Sequence, residues 1–399
     1  MAVPSDRSPV TIFTVFLRLG TTSFGGPIAH VGYLRREFVE RRQWLDEARF
    51  GQLLAMCQVL PGPASSQLGF GIGLLRGGWR GGLAAFAGFT LPSALLLAAL
   101  ASLGAWRETV AGAGVVHGLM LVSVAVVAHS VLRMAGTLAP DTPRRLIAGV
   151  AAAAMLALGS ASSQLAVIVV GALLGVLLCR GLGVGPAATL APAYGARTAW
   201  RSALLCAALV LAAVLWRTSD ASLVALAAVF VRAGALVFGG GHVVLPLLEA
   251  SLVGNGWMTA DTFLAGYGAA QAVPGPLFSV AAFLGTQVNT GAPTAIGALV
   301  ATLAIFAPGF LLLVSALPAW AGLRRVRVAG PMIAGVNAAV VGLLAAALYD
   351  PIFTSAVRAP ADVFIAGAGF AWLHWTSRSP LWVVAWCVAA AVAHPFLAS

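Results

Sequence analysis

The sequence predicts an all-α polytopic membrane protein made of two inverted-topology repeats, with broken or re-entrant helices and roughly 9–13 membrane segments. Three observations predict it. The first is composition: 60% of the 399 residues are hydrophobic and 9% are charged, whereas a soluble domain carries about 25% charged residues. The second is a series of long runs without a charged residue. The third is a duplication that relates the two halves of the chain.

The charge-free runs delimit the membrane segments, because a helical span needs about 20 apolar residues. The run 262–323 is long enough for a broken element followed by a full span. The run 146–179 fits two short helices that turn at residues 160–163. The other runs are 50–75, 81–106, 109–132, 202–216, 328–349, 363–377 and 379–399.

Two of these runs are interrupted by the triplet Pro-Gly-Pro, at residues 61–63 and 274–276. Proline lacks a backbone donor and glycine adopts dihedral angles that other residues avoid, so each triplet should end one helix and begin another. In lipid, the freed backbone groups must be buried in protein or face a water-filled cavity. The triplets therefore predict re-entrant or discontinuous helices.

The duplication is visible in rare residues at matched spacing. The first half contains Phe16-Leu17-Arg18-Leu19-Gly20, Phe24-Gly25-Gly26, Trp44, Phe50 and Gln58-Val59-Leu60-Pro61-Gly62-Pro63. The second half contains Phe230-Val231-Arg232-Ala233-Gly234, Phe238-Gly239-Gly240, Trp257, Phe263 and Gln271-Ala272-Val273-Pro274-Gly275-Pro276. The residue numbers differ by 214 in the first block (230 − 16) and by 213 in the last (271 − 58). We expect an N-terminal repeat at 1–185, a linker with an extra membrane helix at 186–220, and a C-terminal repeat at 221–399.

The arginines predict that the halves lie in opposite senses. Before the first Pro-Gly-Pro, the chain carries Arg35, Arg36, Arg41, Arg42 and Arg49, whereas the matching stretch 241–261 has no arginine. After the following span the bias reverses, with Arg324, Arg325 and Arg327 in the second half. By the positive-inside rule, Arg41 and Arg325 should both be cytoplasmic and Trp257 should face outside. The extra apolar segment 202–216 supplies the odd crossing that this inversion requires.

Arg18 and Arg232 occupy equivalent positions within apolar sequence. A charge at such a position costs about 2.5–3.5 kcal/mol on insertion scales and usually lines a pathway. The alternative is that each arginine extends to an interface or caps helix carbonyls. None of the 12 carboxylates lies deep within a long apolar run, and this distribution favours an anionic substrate.

A helix that begins after Pro-Gly-Pro directs its free N–H groups toward the break, where they suit an oxyanion. Glycines allow close backbone approach, and glutamines add neutral donors. His30 and His117 are explained better by packing than by proton transfer. The candidate substrate-binding residues are Arg18, Gly25, Gly26, Gln58, Pro61, Gly62, Gln67, Arg232, Gly239, Gly240, Gln271, Pro274 and Gly275.

Other functional classes fit less well. The sequence has no HExxH or GxSxG motif, so we expect no enzyme. No metal or cofactor is expected, since Cys57, Cys179, Cys206 and Cys387 lack paired spacing. The 23 basic residues, all arginine, are scattered singly or in short pairs, and this argues against nucleic acid. An anion channel stays open as an alternative function. A homodimer is suggested only because transporters often form one.

The repeated FGG…PGP pattern resembles the chromate ion transporter family in its long, two-domain form. The matching residues are Phe24 to His30, Trp44, Gln58 to Pro63, Gln67, Phe238 to Gly241, Pro246, Trp257 and Pro274 to Pro276. The resemblance implies an inner-membrane protein that exports chromate, confers chromate resistance, and is driven by the membrane electrochemical gradient. The residues alone indicate only a dianionic oxyanion, so a sulfate or other oxyanion permease stays open.

Overall fold

In the computed structural model the described residues form helices and the loops between them, with no β-strand among them, which confirms the predicted all-α class. These residues are 7–23, 26–103, 109–158, 161–179, 190, 192, 194–216, 220–237, 244–323, 328–376 and 381–397. Five helices within them are long and apolar enough to cross a bilayer. The chain is therefore a polytopic membrane protein.

The first half contributes seven helices to the described structure. They are α1 (Pro9–Thr22), α2 (Gly26–Arg35), α3 (Glu47–Val59), α4 (Ala64–Ser102), α5 (Val110–Leu138), α6 (Thr142–Leu158) and α7 (Ala161–Leu178). A π-helical stretch, Arg36–Arg41, follows α2 directly. The separate helices α6 and α7 confirm that the long run 146–179 is two short helices.

The second half follows the connecting helix α8 (Ala196–Leu215). Its helices are α9 (Leu223–Leu236), α10 (Val244–Leu252), α11 (Ala260–Ala272), α12 (Val280–Gln287), α13 (Thr294–Leu323), α14 (Ala329–Ala347), α15 (Thr354–Ala356), α16 (Pro360–Trp375) and α17 (Leu381–Leu397). The 3₁₀ turn Leu277–Ser279 precedes α12, and the π-helical stretch Leu348–Phe353 precedes α15.

Helix boundaries repeat at the offsets of the sequence motifs. Both ends of α9 are those of α1 shifted by 214 in residue number, and both ends of α11 are those of α3 shifted by 213. Both Pro-Gly-Pro triplets interrupt the helices as predicted. Their central glycines, Gly62 and Gly275, have φ angles of +126° and +110°, a region that residues with a Cβ rarely enter.

Helix α4 is a hairpin and not one long span. Its 39 residues would extend about 58 Å as a straight helix, far more than a bilayer core. The backbone is non-helical at Gly77 and Gly78, and a Cβ at Gly73 would overlap the carbonyl oxygen of Gly81. The chain therefore reverses at this point. In the second half, a Cβ at Gly285 of α12 would overlap Gly297 of α13 in the same way.

The two halves exchange their last helices. Helices α6 and α7 pack on α14 of the second half, whereas α16 and α17 pack on α5 of the first half. Small residues make these contacts close: Gly175 lies against Gly335, and Gly118 lies against Val388. Close backbone approach of this kind drives helix association in lipid. The described repeats therefore interlock into one body.

Candidate functional site

The two Pro-Gly-Pro breaks are joined to the opposite repeat by equivalent hydrogen bonds. The Gly62 N–H donates to the Val237 carbonyl at 2.7 Å, and the Gly275 N–H donates to the Ser23 carbonyl at 2.9 Å. Ser23 and Val237 are equivalent positions (237 − 23 = 214) and directly precede the two Phe-Gly-Gly segments. The breaks therefore meet at the boundary between the repeats. These two N–H groups are already bonded, so the two glycines position the breaks; anion binding by Gly62 and Gly275 stays a prediction.

Each break also packs against the long helix of the other repeat. A Cβ at Gly62 would lie 2.9 Å from the Cα of Gly309 in α13, and a Cβ at Gly275 would lie 2.7 Å from the Ser93 hydroxyl in α4. Ser93 and Gly309 each follow a proline within their helix, Pro92 and Pro308. The breaks and the proline positions thus form one tightly packed centre.

Gln67 and a pair of serines form buried hydrogen bonds within this centre. The Gln67 amide nitrogen donates to the Pro61 carbonyl at 3.0 Å and to the Gly309 carbonyl at 2.9 Å. On the other side, the Ser93 and Ser279 hydroxyls are 2.6 Å apart. Gln67 and Ser279 are completely buried. Polar side chains therefore bridge the repeats at both breaks.

Several buried polar atoms around this centre have no hydrogen-bond partner among the described residues. They are Ser23 Oγ, His30 Nδ1, Ser66 Oγ, Gln67 Oε1, Thr90 Oγ1 and Gln271 Nε2. Leaving such a group unpaired costs about 1–3 kcal/mol, and a cluster of them indicates bound water or a ligand. Hydroxyl and amide donors predominate and carboxylates are missing from the set, so the set suits an anion.

The structure brings together part of the predicted site. Pro61, Gly62 and Gln67 lie against the second repeat, and Pro274 and Gly275 lie against the first. Gln271 is half-buried beside the second break, whereas its equivalent Gln58 is exposed. Gly26 begins α2. Gly25, Gly239 and Gly240 lie outside the described residues, so their predicted role stays a prediction.

The two predicted arginines have different surroundings. The Arg232 guanidinium donates to the carbonyls of Ala213 and, at 3.3 Å, Trp216. These carbonyls terminate α8, so Arg232 caps a helix end, the alternative that sequence analysis had left open. The Arg18 side chain is exposed on α1. Anion binding by Arg18 and Arg232 stays a prediction.

Ser23, Thr90 and Ser93 were not predicted from the sequence, and His30 was predicted to serve packing. His30 is 1% exposed, and its Nε2 lies 3.2 Å from the Ser23 carbonyl, which already accepts from Gly275. The prolines within α4 and α13 were the available signal for Ser93, because Pro92 and Pro308 each stand inside a long apolar run directly before Ser93 and Gly309. Thr90 and Ser23 gave no signal beyond their residue type.

One of the described carboxylates, Asp362, is buried beside a histidine. Asp362 is 6% exposed, and its Oδ1 lies 2.8 Å from the His117 Nε2. Asp362 does not lie deep within an apolar run, and the sequence does not predict this burial. The sequence hid this burial because Asp362 stands at the very start of an apolar run, where it caps the first turn of α16.

Arginines surround Trp44 on the face predicted to be cytoplasmic. The guanidinium carbons of Arg42 and Arg76 lie 5.7 and 5.2 Å from the Trp44 ring centroid, within the range of a cation–π interaction. Partial burial tends to raise the pKa of Glu37, but hydrogen bonds from Arg42 and Arg41 outweigh it and hold that pKa below its usual range. Glu37 is therefore ionised and paired with arginines on a face where arginines also contact Trp44. The matching arginines at 324–327 lie outside the described residues.

Comparison with known proteins identifies the family. The sequence profile described as chromate transporter matches residues 10–176 and 224–393. The chain is 33% identical over 393 residues to a chromate transport protein of Pseudomonas aeruginosa, covering 96% of this chain and 91% of that protein. It is 31% identical over 341 residues to a probable chromate transport protein of Synechococcus elongatus, covering 84% and 82% of the two chains.

A third relative, an uncharacterized transporter of Methanocaldococcus jannaschii, is 26% identical over 350 residues, covering 86% of this chain and 84% of that protein. No solved structure matches the chain. The profile covers both repeats and leaves out most of the connecting segment that contains α8. On this evidence, the chain belongs to the chromate transporter family.

Proposed function

We propose that this protein exports chromate, a tetrahedral dianion, across the cytoplasmic membrane and thereby confers chromate resistance. The names of the relatives support the choice of chromate. The buried donors at the crossed Pro-Gly-Pro breaks are the single observation that carries the proposal, since they are unpartnered, neutral and free of carboxylates. A sulfate or other oxyanion permease is the alternative, because sulfate shares the charge and shape of chromate.

In this proposal the anion binds beside the Ser66 hydroxyl, where α4 begins, while the Gln67 amide nitrogen is held by the Pro61 and Gly309 carbonyls. The first N–H groups of a helix have no acceptor within the helix, and its dipole favours a negative charge. The Ser66 hydroxyl adds a donor at the same end. Neutral donors hold an oxyanion while avoiding the strong attraction that would prevent its release.

The proposed direction is supported by charge on the two predicted faces. The ten described acidic residues divide evenly between the predicted faces, with Asp220, Glu249, Asp261, Asp350 and Asp362 outside and Glu37, Glu40, Asp46, Glu47 and Asp141 inside, so the arginines make the difference. Most described arginines lie on the predicted inner side, which attracts anions from the cytoplasm. A negative interior drives charge outward at about 2.3 kcal/mol per charge per 100 mV, or about 4.6 kcal/mol for a dianion. Export as a uniport thus has sufficient driving force.

Uptake of labelled chromate into inverted vesicles tests the proposal. We expect saturable, potential-dependent accumulation that sulfate inhibits, and counterflow when the vesicles are preloaded with unlabelled chromate. Counterflow distinguishes a carrier from an anion channel. Accumulation no greater than in vesicles without the protein, with the protein shown to be folded, would overturn the proposal.

Substitution of the two arginines by glutamine separates a pathway role from a capping role. We expect Arg232→Gln to lower the melting temperature and the membrane abundance, because the end of α8 loses a charged donor worth about 1.5–3 kcal/mol. Arg18→Gln should leave both unchanged and reduce transport, as the side chain is exposed. Thermal unfolding in detergent and vesicle flux measure these effects; full transport by Arg18→Gln would remove Arg18 from the proposed pathway.

A further inference from the structure

Helix α11 of the second repeat is docked against α5 of the first. A Cβ at Gly268 would overlap the Leu119 carbonyl oxygen, and the Ser123 hydroxyl donates to the Leu264 carbonyl at 3.3 Å. Leu264 and Gly268 are both buried, one turn apart on the same face of α11. This contact leaves no space between α11 and α5.

The equivalent face of α3 is open. Gly51, Ala55 and Gln58 correspond to Leu264, Gly268 and Gln271, since each pair of residue numbers differs by 213 (271 − 58). All three of these α3 residues are exposed. Helix α3 lies against α4 and α13. The helix that follows α13, as α5 follows α4, is α14, and among the described residues no contact comparable to that of α11 with α5 joins it to α3. The two repeats therefore adopt different arrangements of the same helix.

The serines beside the two breaks differ in their hydrogen bonding, and the serine of the second repeat is again the one that is bonded to the other repeat. Ser66 and Ser279 are equivalent positions. The Ser279 hydroxyl is bonded to Ser93, whereas the Ser66 hydroxyl is buried and has no partner among the described residues. The break of the second repeat is therefore hydrogen-bonded to the first repeat, whereas the break of the first repeat has a hydroxyl without a partner among the described residues.

Charged groups connect the outer end of α11 to the segment before α16 and to α5. The Arg358 guanidinium lies 2.6 Å from the Asp261 carboxylate in the first turn of α11. The Asp362 carboxylate accepts from the N–H groups of Arg358 and Ala359, both at 2.9 Å, and from His117 of α5 at 2.8 Å when the Nε2 carries hydrogen. We call His117, Asp362, Arg358 and Asp261 the outer latch.

The outer latch differs from the other ion pairs of the described structure. Its two pairs join residues 245 and 97 positions apart, and one of them links the two repeats directly. The remaining pairs join residues no more than 12 positions apart. Asp141 and Arg144, at the start of α6, form such a local pair. Long-range ionic contacts among the described residues are therefore concentrated at the predicted outer end.

We propose that this conformation is closed to the outside and that the outer latch must open in every transport cycle. This inference rests on the proposed transport function. Because the repeats are equivalent, exchanging their arrangements gives the opposite state: α11 leaves α5, the latch breaks, and α3 docks through the face that is open in this conformation. The latch residues are positioning residues and do not touch the anion.

Reversible cross-linking across the latch tests this requirement. Cysteines are introduced by Asp261→Cys and Arg358→Cys and joined in detergent, before reconstitution, by a bifunctional thiosulfonate, with mass spectrometry to verify completion. The native cysteines are buried and should react little. We expect the cross-link to abolish chromate flux and a reductant to restore it. Undiminished flux through fully cross-linked protein would overturn the proposal.

The matched control is Asp141→Cys with Arg144→Cys, which places the same cross-link within one helix start. Flux should then be unchanged. If this control were blocked as well, the loss of flux at the latch would reflect the reagent and the proposal would lose its support.

A second measurement needs no substrate and so separates this inference from the proposed function. Ala55→Cys on the open face of α3 should react with an impermeant maleimide from the cytoplasmic side. The latch variant Arg358→Gln should lower this labelling rate, because docking of α3 becomes more frequent, whereas the cross-linked latch should keep it high. Equal labelling rates in the Arg358→Gln protein and the cross-linked protein would overturn the proposed role of the latch, even if chromate flux is present. Absent flux together with the expected labelling rates would reject only the proposed function.

Discussion

Replacing Ser66 by alanine is expected to reduce chromate affinity by roughly 10- to 100-fold, because a hydrogen bond to a charged group contributes about 1.5–3 kcal/mol. The hydroxyl is buried beside the first break and has no partner among the described residues. Its removal therefore takes no hydrogen bond from the described protein, and the melting temperature should stay constant or rise. Vesicle flux against chromate concentration, together with thermal unfolding, measures both effects.

Ser130→Ala is the matched control for this prediction. Ser130 is also buried, but its hydroxyl donates to the Val126 carbonyl of its own helix at 2.8 Å. We expect Ser130→Ala to transport chromate with unchanged affinity. A lower melting temperature in Ser66→Ala with unchanged affinity would show that the hydroxyl is structural and would remove it from the site.

Gly62→Ala is expected to destabilise the protein by about 3 kcal/mol and abolish transport, because strain and overpacking act together. The φ angle of +126° is one that alanine avoids. The new Cβ would also lie 2.8 Å from the Gln67 amide nitrogen and 2.9 Å from the Gly309 Cα. One methyl group would thus push apart the contact that carries the Gly62–Val237 hydrogen bond.

The equivalent variant Gly275→Ala should behave similarly, since its φ angle is +110° and its Cβ would meet Ser93. Gly136→Ala is the control: Gly136 lies in α5, and no atom of the described residues stands within 4 Å of the position that its Cβ would take. Thermal unfolding in detergent ranks the three variants. If both break variants were as stable as the control, the close contacts of Gly62 and Gly275 with the opposite repeat would not be required for stability.

The sequence was sufficient to predict the helical class, the broken helices and the duplication. Proline and glycine interrupt a helix for local steric reasons, so Gly62 and Gly275 could be identified without knowing their neighbours. The hairpin in α4 was harder to predict, because residues 77 and 78 form only a glycine pair between two apolar stretches. The exchange of α6–α7 and α16–α17 between the repeats depends on tertiary packing that no local pattern encodes.

Only part of the candidate site could be predicted, because several of its contacts also depend on tertiary packing. Gln67 was identified from its position after the first break, but its acceptor on Gly309 is 242 residues away. Arg232 looked like a pathway cation because its apolar neighbours hid the end of α8, which contacts it only in the folded protein. Thr90 and Ser23 stand out only once burial and missing partners are known.

Equilibrium binding of labelled chromate to the purified protein tests the central claim most directly, namely that the buried donors at the crossed breaks bind the anion. We expect saturable binding that sulfate competes for in the unmodified protein and in Ser130→Ala. The double variant Ser23→Ala with Ser66→Ala should bind far more weakly while unfolding at the same temperature. Unchanged binding by this folded double variant would contradict the account and place the anion elsewhere in the protein.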